Sequence, residues 1–65
     1  IYGDYMDHNE LTILIMNKYN IDSYNLAKKI ALDCIALDCQ KKDILYGKYD
    51  ELIINILIPK YKKND

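Results

Sequence analysis

The feature that most constrains the fold is the stretch 23–46, which contains neither glycine nor proline. Its apolar residues recur every three to four positions, the spacing of one face of an α-helix. Asp22 or Ser23 can cap such a helix at its start. We therefore predict a long second helix near residues 23–42. Its apolar stripe comprises Leu26, Ala27, Ile30, Ala31, Cys34 and Leu37, widened by Ile35.

A shorter helix is predicted on each side of this stretch. The first, near residues 8–19, begins after Asp7, and Glu10 follows three positions later, which is the spacing of a capping box. The third, near residues 49–60, begins after Gly47, a residue that breaks helices. The apolar residues of these two helices are Leu11, Leu14, Ile15, Met16 and Tyr19 in the first and Leu52, Ile53, Ile56 and Leu57 in the third.

Three helices joined by short loops predict an all-α fold, a small antiparallel three-helix bundle. Two apolar runs, 11–16 and 52–58, also fit buried strands, so a strand stays open there as the alternative. We expect residues 1–65 to form a single small helical domain, and because the chain begins with Ile1 it could be a fragment or a processed chain. With 51% hydrophobic residues, so short a chain favours surplus apolar surface for a partner.

Composition excludes several classes of protein. The apolar runs are far shorter than the roughly 20 residues that cross a bilayer, so no membrane span is expected. The chain has nine lysines, ten acids and no arginine, for a net charge of −1. Nucleic-acid binders usually present a basic face rich in arginine, so nucleic acid is not an expected partner.

The two cysteines, Cys34 and Cys39, are five positions apart. On one uninterrupted helix they would lie about 140° apart around the axis and about 7.5 Å apart along it, too far for a disulfide. We therefore expect buried free thiols in a reducing compartment, which predicts a cytoplasmic protein.

No residue pattern points to catalysis, to a metal or to a cofactor. His8 is the single histidine and lies among acids, but the spacing of a calcium loop is absent and zinc would need more nitrogen or sulfur ligands. A nucleophilic cysteine would need a base, and His8 belongs to another segment. We therefore expect a protein that is not an enzyme.

Residues 26–33 resemble the first helix and turn of a helix-turn-helix unit. Ala27 stands at the small packing position, Ala31 at the turn, and Leu37 where the second helix is anchored. Gln40 departs from the motif because a second apolar anchor is usual there. The resemblance implies a DNA-binding regulator, which we keep as an alternative function.

Tyrosines and acids cluster before the first and the third helix. Tyrosine offers a large rigid contact area with a polar tip, and carboxylates attract a basic partner. In composition the chain resembles small acidic helical inhibitors such as bacteriocin immunity proteins or antitoxins. The predicted partner-binding residues are Tyr2, Asp4, Tyr5, Asp7, Glu10, Tyr46, Tyr49, Asp50 and Glu51.

These observations predict a non-enzymatic protein–protein interaction module, of the inhibitor, immunity or antitoxin type, that binds a basic partner. A structural subunit that forms homodimers through the third helix is a further alternative. Its apolar residues cover too much of the helix surface for one small bundle to bury. They are Ile53, Ile54, Ile56, Leu57 and Ile58.

Overall fold

The computed structural model describes residues 7–63, and every regular element within them is a helix. The prediction of an all-α bundle is therefore confirmed, and the strand alternative for residues 11–16 and 52–58 is wrong. The elements are α1 (His8–Tyr19), α2 (Tyr24–Ala36), α3 (Lys41–Tyr46), α4 (Asp50–Leu52), a π-helical turn (Ile53–Leu57) and α5 (Ile58–Lys62). We call the last three, which follow one another without a break, the C-terminal helix.

Side-chain caps fix where α1 and α2 begin. The Asp7 carboxylate accepts a hydrogen bond of 3.2 Å from the N–H of Asn9, and the Ser23 hydroxyl accepts one of 3.2 Å from the N–H of Leu26. Each bond satisfies a backbone donor that has no partner within its helix. Both predicted helix starts are confirmed. The Tyr24 hydroxyl then joins the two first turns by donating to the Asn9 amide oxygen at 2.8 Å.

The predicted second helix is in fact two helices. Asp38 adopts a left-handed conformation, with φ of 60°. The chain turns there, α2 ends at Ala36, and α3 begins at Lys41. Aspartate tolerates this conformation better than most residues because its short polar side chain bonds locally. The sequence pattern missed the break because neither glycine nor proline marks it.

The core lies between α1, α2 and the C-terminal helix, with Ile44 inserted from α3. The stripe predicted for α2 is buried from Leu26 to Cys34, as expected. Leu37 is 58% exposed because it lies beyond the end of α2, and Ile56 is 57% exposed. Both were expected in the core. The buried apolar residues are Leu11, Ile15, Ile21, Leu26, Ala27, Ile30, Ala31, Cys34, Cys39, Ile44, Ile53 and Leu57.

Proline explains the π-helical turn in the C-terminal helix. Pro59 has no N–H, so it cannot bond the carbonyl of Asn55, and its ring would clash with that carbonyl in a regular α-helix. The helix widens before the proline, and the N–H of Ile58 bonds the carbonyl of Ile53 five residues earlier. The helix thus continues through Pro59 instead of ending there.

Candidate interaction surface

The first predicted cluster of tyrosines and acids is only partly described. Tyr2, Asp4 and Tyr5 lie outside the described residues. Asp7 is exposed and its carboxylate caps α1. The Glu10 carboxylate accepts a charge-assisted hydrogen bond of 3.1 Å from Lys41 Nζ, which joins α1 to the start of α3. Asp7 and Glu10 are thus both engaged in contacts within the bundle.

The second cluster divides into anchored and free side chains. Tyr49 is half-buried and packs against the core, and Lys48 Nζ lies 5.5 Å from the centre of its ring. Asp50 accepts a hydrogen bond of 2.6 Å from the Tyr19 hydroxyl. Tyr46, by contrast, is 88% exposed, and Glu51 is exposed as well. Tyr46 and Glu51 are therefore the members of this cluster that are most accessible to another molecule.

The structure does not gather the two acidic clusters at one place. Glu10 lies in the first turn of α1, whereas Asp50 lies 3.8 Å from Lys18 in the last turn of α1. Eight residues of α-helix separate Glu10 from Lys18, which is about 12 Å along the axis. The described acids therefore do not form one continuous binding site.

The anchored Asp50 changes the chemistry of its neighbour. Tyr19 is partly buried, and this burial raises the pKa of its hydroxyl well above the ordinary value. The hydrogen bond to Asp50 raises the pKa further because the neutral hydroxyl is the donor. Tyr19 is therefore a neutral donor that ties the end of α1 to the start of the C-terminal helix.

A second tyrosine ties the C-terminal helix to α2. The Tyr61 hydroxyl donates to the Asp33 carboxylate at 2.5 Å, and this bond raises the pKa of Tyr61. Lys60 Nζ lies 4.0 Å from the same carboxylate. Lys29 and Lys60 also lie over the Tyr61 ring, at 5.9 and 5.0 Å from its centre. Asp33 is thus another acid that contacts residues of the same chain.

Large apolar side chains that remain exposed are the feature that the sequence analysis predicted least well. Eight large apolar side chains among residues 7–63 are at least 42% exposed, and every helix except α4 and α5 carries one or more, with Leu37 just after α2. The predicted stripes assigned some of them to the core. They are Ile13, Tyr24, Leu32, Leu37, Leu45, Tyr46, Ile54 and Ile56.

Two of these side chains flank the buried line of the C-terminal helix. Ile53 and Leu57 face the core, while Ile54 and Ile56 are 50% and 57% exposed. Successive residues of a helix are rotated by about 100°, so Ile54 and Ile56 lie on opposite sides of that buried line. The expectation that the bundle cannot cover all the apolar residues of this helix is confirmed at these two positions.

The helix-turn-helix resemblance does not match the helices observed. Ala31, assigned to the turn, is fully buried within α2. The actual turn lies at residues 37–40, and the helix that follows it has six residues. Lys41, at its start, is paired with Glu10.

His8 Nδ1 lies 4.0 Å from Asp7 Oδ1, and both side chains are largely exposed. Within residues 7–63, no group of three or more histidines, cysteines or acids is placed to hold a metal ion. None of the helices described is long and apolar enough to cross a membrane.

Comparisons with protein family models, with curated proteins and with solved structures found no match to this chain.

Proposed function

We propose that this chain is a non-enzymatic protein–protein interaction module. The observation that carries the proposal is the set of eight large apolar side chains left at least 42% exposed on a bundle of this size. Apolar surface that a chain cannot bury internally is favourably buried against another protein. Leu32 and Leu37 lie at the end of α2, and Ile54 and Ile56 lie on the C-terminal helix.

The C-terminal helix is the best candidate for the contact. Ile54 combines an exposed apolar side chain with an acid one turn earlier, Glu51, which makes no ion pair with the described residues. Tyr46 adds a nearly free aromatic side chain at the end of α3. Apolar and tyrosine contacts supply binding free energy, and an acidic rim favours a basic partner. This arrangement supports an inhibitor, immunity or antitoxin type of binder.

The two free, buried thiols support a cytoplasmic setting for such a module, because reducing compartments keep cysteines unpaired. Homodimer formation through the C-terminal helix is the other form of the same proposal, since a second copy offers the same uncovered isoleucines.

The proposal is tested with two lysine variants of neighbouring residues. Ile54→Lys places a charge on the apolar surface, and the matched control Asn55→Lys adds the same charge one residue away, at an exposed polar position. Neither substitution removes a core residue, so the free energy of unfolding of both variants, measured in urea, is expected to stay within about 0.5 kcal/mol of that of the parent chain.

A pull-down from the native host is then compared for the three chains, with sedimentation equilibrium at micromolar concentration to detect dimers. We expect a partner, or a second copy, to bind the parent and Asn55→Lys chains and to bind Ile54→Lys at least ten-fold more weakly. Equal binding by all three chains, or a strictly monomeric chain that retains nothing, would contradict the proposal.

A further inference from the structure

Cys34 and Cys39 meet at the end of α2. The N–H of Cys39 donates to the carbonyl of Cys34 at 2.9 Å, and the N–H of Asp38 donates to the carbonyl of Ile35 at 3.0 Å. With Asp38 left-handed, these two bonds form a Schellman motif. In this motif the side chains at the two ends of the longer hydrogen bond frequently pack together. Here both of those side chains are thiols, and both are buried.

The distance between the two cysteines suits a disulfide. Because Cys39 N lies 2.9 Å from Cys34 O, standard bond lengths place the two Cα atoms no more than about 6.7 Å apart. Disulfides span Cα distances of about 4.4 to 6.8 Å. The sequence-based expectation that the thiols lie too far apart is therefore wrong, because it assumed one continuous helix.

Both thiols are buried and free in the closed bundle. Burial raises the pKa of Cys34 to about 12 and raises that of Cys39 as well. The thiolate is the reactive form, so the closed bundle protects both cysteines from rapid oxidation. A disulfide is itself apolar and needs no hydrogen-bond partner, so the same buried space can hold it.

The element that follows Cys39, α3, is short and contributes little to the core. α3 has only six residues, its N-cap Gln40 makes no side-chain capping bond, and Ile44 is its one buried residue. Lys42 lies in its first turn, where the helix dipole disfavours positive charge, while Lys41 beside it is held by Glu10, and Asp43 adds one negative charge to that turn. Local opening of so short an element costs less than global unfolding, and an opening that reaches the turn before it is what the reaction below requires.

We propose that Cys34 and Cys39 form an intramolecular disulfide by thiol–disulfide exchange with small linear disulfides such as oxidised glutathione. With α3 open, the Cys39 thiolate attacks one sulfur of the oxidant, which releases one thiolate and leaves a mixed disulfide on Cys39. The Cys34 thiolate then attacks the Cys39 sulfur and releases the second thiolate. The protons lost by the two cysteines go to the two released thiolates. Two cysteine thiols are oxidised, and one small disulfide is reduced to two thiols.

The Cys34–Cys39 disulfide closes a ring of six residues across the turn between α2 and α3. For a ring of this size the chain-entropy relation predicts a roughly forty-fold smaller unfolding equilibrium constant. By linkage, the folded chain must favour ring closure over the unfolded chain by the same factor. The disulfide-bonded form fixes the Schellman motif and holds the start of α3 against α2.

The test is to equilibrate the full chain with mixtures of reduced and oxidised glutathione, once in buffer and once in concentrated urea. Free thiols are then blocked, and the species are separated by mass. We expect a monomer that has lost two hydrogen atoms, with an equilibrium constant for ring formation at least ten-fold larger in buffer than in urea.

Cys34→Ser and Cys39→Ser are the controls. Each keeps one thiol, so each is expected to form only the mixed disulfide with glutathione. Equal ring-formation constants in buffer and in urea would overturn the proposal. It would also be overturned by disulfide-linked dimers, or by mixed disulfides on both cysteines of the parent chain, as the main product.

Discussion

At the scale of single residues, most of the acids within residues 7–63 contact other residues of the same chain. Glu10, Asp33, Asp43 and Asp50 each lie within 4.0 Å of a lysine nitrogen. Sequence reasoning assigned Glu10 and Asp50 to a partner-binding surface, because acidic side chains beside tyrosines often bind basic proteins. It could not anticipate that Lys41 and Tyr19, each 31 positions away, would engage them.

The hydrogen bond between Tyr19 and Asp50 gives a prediction at this scale. Tyr19→Phe removes a donor from a part-buried bond of 2.6 Å, so we expect the free energy of unfolding to fall by about 1 kcal/mol. Tyr46→Phe is the matched control, because the Tyr46 side chain is almost fully exposed and the loss of its hydroxyl should leave stability unchanged. Urea unfolding measures both variants, and equal stability of the two would mean that the bond contributes nothing.

At the scale of elements, the sequence was sufficient to predict that helices form. It was sufficient to predict only some of the residues at which they begin and end. Asp7, Ser23 and Gly47 are strong local signals, and each marks a helix end in the structure. The end of α2 has no comparable signal, because Asp38 tolerates a left-handed conformation without demanding it. That one missed turn explains two wrong expectations, the burial of Leu37 and the separation of the cysteines.

Gly47 provides the prediction for an element boundary. Its φ is 94°, and a Cβ placed there would lie 2.9 Å from the Asp50 Oδ2 atom. We expect Gly47→Ala to lower the free energy of unfolding by about 1 to 2 kcal/mol, because it combines an unfavourable φ with a displaced Asp50. Thermal or urea unfolding measures the loss.

Asp38→Gly is the reciprocal control. It keeps the positive φ and removes the Cβ, so stability should stay the same or rise by up to about 1 kcal/mol. If both variants lost the same stability, the cost at Gly47 would not come from its backbone conformation.

At the scale of the whole molecule, neutral thiols and phenols that are buried, or that donate a hydrogen bond to a carboxylate as Tyr61 does, make stability fall at alkaline pH. The pKa values of Tyr19, Cys34, Cys39 and Tyr61 are all raised, so the folded state favours the protonated forms. Stability is full below the ordinary thiol pKa of 9.0 and falls as pH rises toward the Cys34 pKa of about 12.

We expect the free energy of unfolding to fall by roughly 1 kcal/mol per pH unit above pH 9 through Cys34 alone. The measurement is urea unfolding at a series of pH values from 8 to about 11 under reducing conditions. Cys34→Ala should show a shallower decline with pH, whatever its stability at neutral pH. A decline as steep as that of the parent chain would show that Cys34 does not contribute to it.

The binding surface proposed for this bundle consists of apolar side chains that the fold leaves uncovered. Calorimetric titration of the partner, or dilution of the dimer, at several temperatures shows whether they are buried on binding, because burial of apolar surface gives a negative heat-capacity change. We expect a negative heat-capacity change for the parent and Asn55→Lys chains and a markedly smaller one for Ile54→Lys. A heat-capacity change near zero, or one that Ile54→Lys leaves unaltered, would contradict it.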